Sequence, residues 1–208
     1  MPRQNRVTPY GELIAVPDRG LFWGNRGALL DRRGEIARHS RGRAWLICVL
    51  SFKGRRRRQW QPGRLTELYF LDEVTGLAAG HRPCGECRRH EYQAFKGAFA
   101  AAVNGGERAG APQIDTRLHA DRLTGTVRRT YQAPLADLPD GTMIETAGGP
   151  WLIWRGEILA WSPAGYTERR SPGTAGETVT VITPRATVAV LATGYGPVVH
   201  PSAETPAR

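Results

Sequence analysis

The stretch Ala78-Ala79-Gly80-His81-Arg82-Pro83-Cys84-Gly85-Glu86-Cys87 stands between two segments that read as helices. Upstream, residues 72–79 carry Asp72 near a helix N-terminus and Gly80 as the C-terminal stop. Downstream, over residues 87–103, Tyr92, Phe95, Phe99 and Val103 recur at helical spacing, which predicts an amphipathic helix. Between them two thiols are separated by two residues. Gly85 lets the backbone turn tightly enough for both sulfurs to grip one ion. The amides opening the second helix, together with Arg82, Arg88 and Arg89, are expected to stabilise thiolates there.

The chain has three cysteines, Cys48, Cys84 and Cys87. An odd count with one tight pair does not read as a disulfide framework and points to a reducing compartment. A redox dithiol is the competing reading of Cys84 and Cys87, but the aromatic-flanked strand and helix of thioredoxin-type motifs is missing. Zinc is therefore the expected cofactor. Tetrahedral zinc takes four ligands, so two must come from elsewhere. Cys48 is the first candidate, on an apolar strand that can run beside the knuckle. His81 and His90 follow, His90 lying one helical turn past Cys87; His39 is a weaker choice.

Residues 70–88, with an apolar strand end, a helix and then Ala-Gly-His-Arg-Pro-Cys-Gly-Glu-Cys-Arg, resemble the second half of the Ada-type zinc module of bacterial alkylation-repair regulators. That family carries a run of the form Ala-Gly-aromatic-Arg-Pro-Cys-x-x-Cys, whose two cysteines bind zinc and match Cys84 and Cys87. The resemblance implies a zinc site beside a DNA-binding surface, and a place in DNA repair. The family's first cysteine pair, which includes its methyl-accepting thiol, is not present as a pair here, since only Cys48 lies upstream.

Working outward, residues 12–16 read as a strand in a turn-rich opening, and residues 44–52 as a central buried strand. The basic turn Lys53-Gly54-Arg55-Arg56-Arg57-Arg58 follows, then Trp60, the breaker Pro62-Gly63, and a short strand at 67–70. Residues 104–112 form a Gly/Ala/Pro-rich linker and residues 113–123 a short helix. Strands are expected at 142–145, 151–154, 158–161 and 178–182, the middle two joined as a hairpin at Arg155-Gly156. Residues 162–176 read as a long loop, Pro184 opens a last helix ending near Gly194, and the tail reads as extended. The expected fold is α+β: a zinc-knuckle-containing α/β part over 1–104, then a short helix and a β-rich part over 113–200, and a tail over 201–208.

The 208 residues carry a net charge of +10, a field that attracts polyanions. A hydrophobic fraction of 40% and a charged fraction of 23% are ordinary globular values. No apolar run approaches a membrane span, and no signal core follows the basic residues 1–6, so a cytoplasmic chain with no membrane partner is expected. Arg55, Arg56, Arg57 and Arg58 lie beside Trp60, Arg128 and Arg129 beside Tyr131, and Arg169 and Arg170 follow Tyr166. Guanidinium forks next to aromatic faces suit phosphate clamping and base stacking. DNA or RNA is the expected partner, with the resemblance favouring DNA. A second reading makes the chain a hydrolase of nucleic acid, a nuclease or glycosylase-like enzyme. Asp115 and His119 fall at i and i+4 on the 113–123 helix, and an Asp orienting a His is an arrangement used for general bases. The plainer account of that pair is a surface ion pair.

Overall fold

The computed structural model describes residues 1–55 and 58–204. Arg56 and Arg57 of the basic turn, and tail residues 205–208, lie outside the described residues. The first half of the chain supplies β1 (Gln4–Val7), β2 (Leu13–Ala15), β3 (Phe22–Asn25), β4 (Leu46–Val49) and β5 (Leu68–Phe70). Then come α1 (Glu73–Ala78), β6 (Arg82–Pro83), α2 (Arg89–Val103) and α3 (Ala111–Arg122). These six strands form one sheet in the order β2-β1-β5-β3-β4-β6, in which β1 and β5, and β4 and β6, run parallel. A small hairpin, β7 (Leu123–Thr124) with β8 (Val127–Arg128), leads to a second sheet. That sheet contains β9 (Tyr131–Pro134), β10 (Met143–Thr146), β11 (Gly149–Trp154), β12 (Glu157–Ser162), β13 (Gly165–Arg170) and β14 (Thr178–Val181). It is antiparallel in the order β13-β12-β11-β10-β14-β9, and α4 (Arg185–Ala192) follows it. Helices and sheets thus combine as an α+β fold.

The expected helices and strands are present, the strands of the first sheet shorter than expected and the hairpin strands β11 and β12 longer. The loop expected over 162–176 contains β13 instead. Its residues Thr167 to Arg170 are polar and it lies at a sheet edge, so there is no buried alternation to read. β3 is also absent from the sequence reading, because Gly24 interrupts it. The glycine is required by crowding: a Cβ there would lie 1.9 Å from the Leu46 carbonyl oxygen and 2.7 Å from the Phe70 ring.

One core cluster joins Phe22, Ile47, Leu68 and Phe70 of the first sheet to Phe95 and Phe99 of α2. Ile114 and Leu118 of α3 and Val190 and Leu191 of α4 belong to the same cluster, so residues on both sides of the 104–112 linker share it. Helix α1 is buried at every position. Its Leu77 belongs to that cluster, while Val74 and Ala78 pack with Met143, Leu152 and Leu159 of the second sheet.

Burying a whole helix requires partners for both its ends. At the start of α1, Asp72 Oδ1 accepts from the Thr75 amide at 2.9 Å and the Thr75 hydroxyl at 2.7 Å. Its other oxygen accepts from the Tyr166 hydroxyl at 2.8 Å and the His200 amide at 3.0 Å. Glu73 accepts from Arg88 at 2.8 Å, the Tyr195 hydroxyl at 2.7 Å and the Val198 amide at 3.0 Å. At the other end, Arg128 donates to the carbonyls of Ala78, Ala79 and Ile182, and Arg122 to that of Gly80 at 2.9 Å. Cations at a helix C-terminus complement its dipole.

Candidate metal centre

Pairing of β4 with β6 brings the third cysteine to the first two. Leu46 and Ile47 are in register with Arg82 and Pro83, and one further bond continues the ladder, the Cys84 amide donating to the Ile47 carbonyl at 2.9 Å. Pro83 has no amide to donate, which suits an edge strand. Side chains alternate along β4, so Ile47 enters the core and Cys48 faces the other side of the sheet. The chain then turns at Gly85 and Glu86, and the Arg88 amide closes the turn on the Cys84 carbonyl at 3.1 Å.

The ligand atoms of Cys48, Cys84 and Cys87 all lie within 4.8 Å of one another, and these three form the metal-capable group among the described residues. Zinc–sulfur bonds of about 2.3 Å in a tetrahedron put sulfurs about 3.8 Å apart, so small side-chain rotations suffice to enclose an ion. The electrostatics favour one. Cys48 donates to Cys84 and the Glu86 and Cys87 amides point at the same sulfur, which brings Cys84 down to about 5. Cys48, as the donor and as a buried thiol, is pushed up, and burial raises Cys87. Without a cation the cluster keeps little more than one shared negative charge, whereas a divalent ion can hold all three thiolates.

The histidines stand elsewhere. His81 is fully buried against Trp45 and Phe70, with ring centroids at 5.1 and 4.7 Å, and its Nε2 accepts from Arg26 Nε at 3.2 Å. Burial, with Arg26 and Arg122 beside it, holds its pKa well below the usual histidine range. His39 contacts the same Arg26 at 3.0 Å, and His90 is exposed on α2. None of the three joins the thiol group. Two arginines expected to support the thiolates are also committed: Arg88 to Glu73, and Arg82 to both oxygens of Asp115. Arg89 is exposed.

The pairing of Asp115 with His119 anticipated from their spacing is not formed. Asp115 is buried in its bond to Arg82, and His119 Nδ1 meets Arg122 at 3.2 Å. The basic groups also divide. Arg128 turns its guanidinium inward onto the end of α1, and Arg129 is exposed, reaching the Ala120 carbonyl at 3.0 Å. Trp60 is half-buried and donates its indole N–H to the Gly34 carbonyl at 2.8 Å, so it anchors the loop. Arg55 pairs with Glu86 at 2.6 Å at the edge of the cysteine site, and Arg58 is exposed.

A pocket of about 230 Å³ opens on the three cysteines. Trp23 and Tyr69 line it, two residues to which the sequence reading gave no role. Both are half-buried on the sheet face opposite the core. Trp23 is in register with Cys48 on one side and Tyr69 on the other, so ring, ring and thiol stand in one row.

Comparison of the chain with protein-family models, with curated proteins and with solved structures finds no match. Among the described residues no helix is long and apolar enough to cross a membrane.

Proposed function

We propose that the chain is a zinc-stabilised nucleic-acid-binding protein, with DNA as its partner, that works in DNA repair or processing. The observation that carries this reading is the meeting of Cys48 with Cys84 and Cys87 in a pocket that Arg55 also lines. Three thiolates are a soft donor set that suits zinc, a borderline-soft ion. They would hold β4, β6 and the start of α2 together, so that binding free energy becomes folding free energy. They leave one tetrahedral position for a donor from outside this set. The local likeness of residues 70–88 to Ada-type modules and the net charge of +10 support DNA as the partner.

The test is metal analysis of the purified protein together with DNA binding at several salt concentrations. The reading requires about one zinc per chain and an affinity that falls steeply between low and moderate salt. A metal-free native protein, or binding indifferent to salt, would sink it.

A further inference from the structure

Three hollows adjoin along the open face of the first sheet. The central one is the cysteine pocket. At one side it shares Leu50, Gln59 and Tyr69 with a hollow lined by Arg3, Arg6 and Arg19. At the other it shares Leu65 and Glu67 with a hollow lined by Arg58 and Arg64. The result is one groove with cationic ends and an aromatic centre. The sheet register explains this order. Arg6 pairs with Tyr69, Tyr69 with Trp23, and Trp23 with Cys48, so four neighbouring strands place cation, ring, ring and thiol across one face. The Arg6 guanidinium lies 4.7 Å from the Tyr69 ring centroid.

We propose that this groove takes a single nucleic-acid strand, with one unstacked base against Trp23 and Tyr69 beside the cysteine site. The strand's phosphates lie toward Arg3 and Arg19 at one end and toward Arg58 and Arg64 at the other. This rests on the nucleic-acid reading above and narrows it. In a duplex the base faces are stacked on one another, so the paired rings could not be used. Every base has a π-face, so an aromatic floor between cationic ends holds a single strand with little sequence preference. Asn25, Gln59 and Glu67, which also line the pocket, offer polar groups to a base edge.

The experiment uses the zinc-loaded full chain, a short fluorescently labelled DNA single strand and the same sequence as a duplex, at low and moderate salt. The single strand should bind about tenfold more tightly than the duplex, and Trp23→Leu should cost the single strand about tenfold while leaving the duplex unchanged. Trp23→Phe, which keeps a ring, should retain most of the affinity. Arg19→Glu and Arg64→Glu, exposed and at opposite ends, should each weaken the single strand and lower its salt dependence; they keep the proposal testable if Trp23→Leu fails to fold. If duplex and single strand bind equally, with salt dependence, and these substitutions change neither, the nucleic-acid reading stands and the strand assignment is overturned. If neither binds in a salt-dependent way, the underlying reading fails and the strand assignment with it.

Discussion

Arg82 grips Asp115 with two parallel hydrogen bonds, Nε to Oδ1 at 2.7 Å and Nη2 to Oδ2 at 2.8 Å. Both side chains are almost wholly buried, and the pair ties α3 to β6, the strand that precedes Cys84. Removing one partner leaves the other as an uncompensated buried charge. Asp115→Ala should therefore lower unfolding stability by about 3–5 kcal/mol, read from urea denaturation. His119→Ala, at a half-buried position outside this pair, should change stability far less. Equal losses for the two variants would show that the ion pair has no special structural weight.

The cysteine trio makes a sharper statement than the Cys84–Cys87 pair alone. Cys48→Ala, Cys84→Ser and Cys87→Ser should each reduce zinc content below the about one ion per chain expected of a thiolate site. Each should also lower the melting temperature, because a lost metal is lost folding energy. If Cys48→Ala keeps its full zinc, Cys48 is a core residue that only neighbours the site.

Three protein donors leave a tetrahedral ion one exchangeable position. Cobalt(II) substituted for zinc should therefore respond to added imidazole with a change in its visible absorption, since the bands report the donor set. A spectrum that does not move, in protein with full cobalt content, would mean that a fourth donor closes the site.

His81 makes stability depend on pH. The unfolded chain takes up a proton at this residue near pH 6.5, whereas the folded chain keeps the ring neutral beside Arg26 and Arg122. Stability from this residue is therefore present above pH 6.5 and declines below it, by about 1.4 kcal/mol per pH unit. Denaturant midpoints at successive pH values should show that slope, and His81→Phe should lose that part of it. An identical acid slope in the variant would assign the dependence to other groups.

The metal-capable pair was legible because it is local: two thiols, a permissive glycine and a helix start lie within a few residues. The third member was legible only as a candidate, since its place depends on parallel pairing of β4 with β6 across a long stretch of chain. The histidines competed with Cys48 on spacing alone. What keeps His81 from the thiols is the Arg26–Trp45–Arg122 stack, with guanidiniums 4.0 and 3.8 Å from the Trp45 ring, into which it is packed, while His90 is exposed on α2. The arginine–aromatic pairs show a similar limit. Arg128 beside Tyr131 has the spelling of a phosphate clamp, yet its carbonyl partners belong to distant residues. Trp23 has no role legible in the sequence, because a half-buried tryptophan in a glycine-containing strand has no local mark of the face it takes.

The carboxylates at the head of α1 have a bearing on how the chain is made. Asp72 receives its amide partner from His200, 128 positions later, and Glu73 receives two of its donors from Tyr195 and Val198. At ribosomal rates of about 5–20 residues per second, that interval lasts roughly ten seconds. Throughout it, Asp72 and Glu73 have the donors made early, Thr75 and Arg88, and lack those of residues 195–200. The head of α1 therefore gains its full set of hydrogen-bond partners only once residues 195–200 have been made, long after the strands of the first sheet.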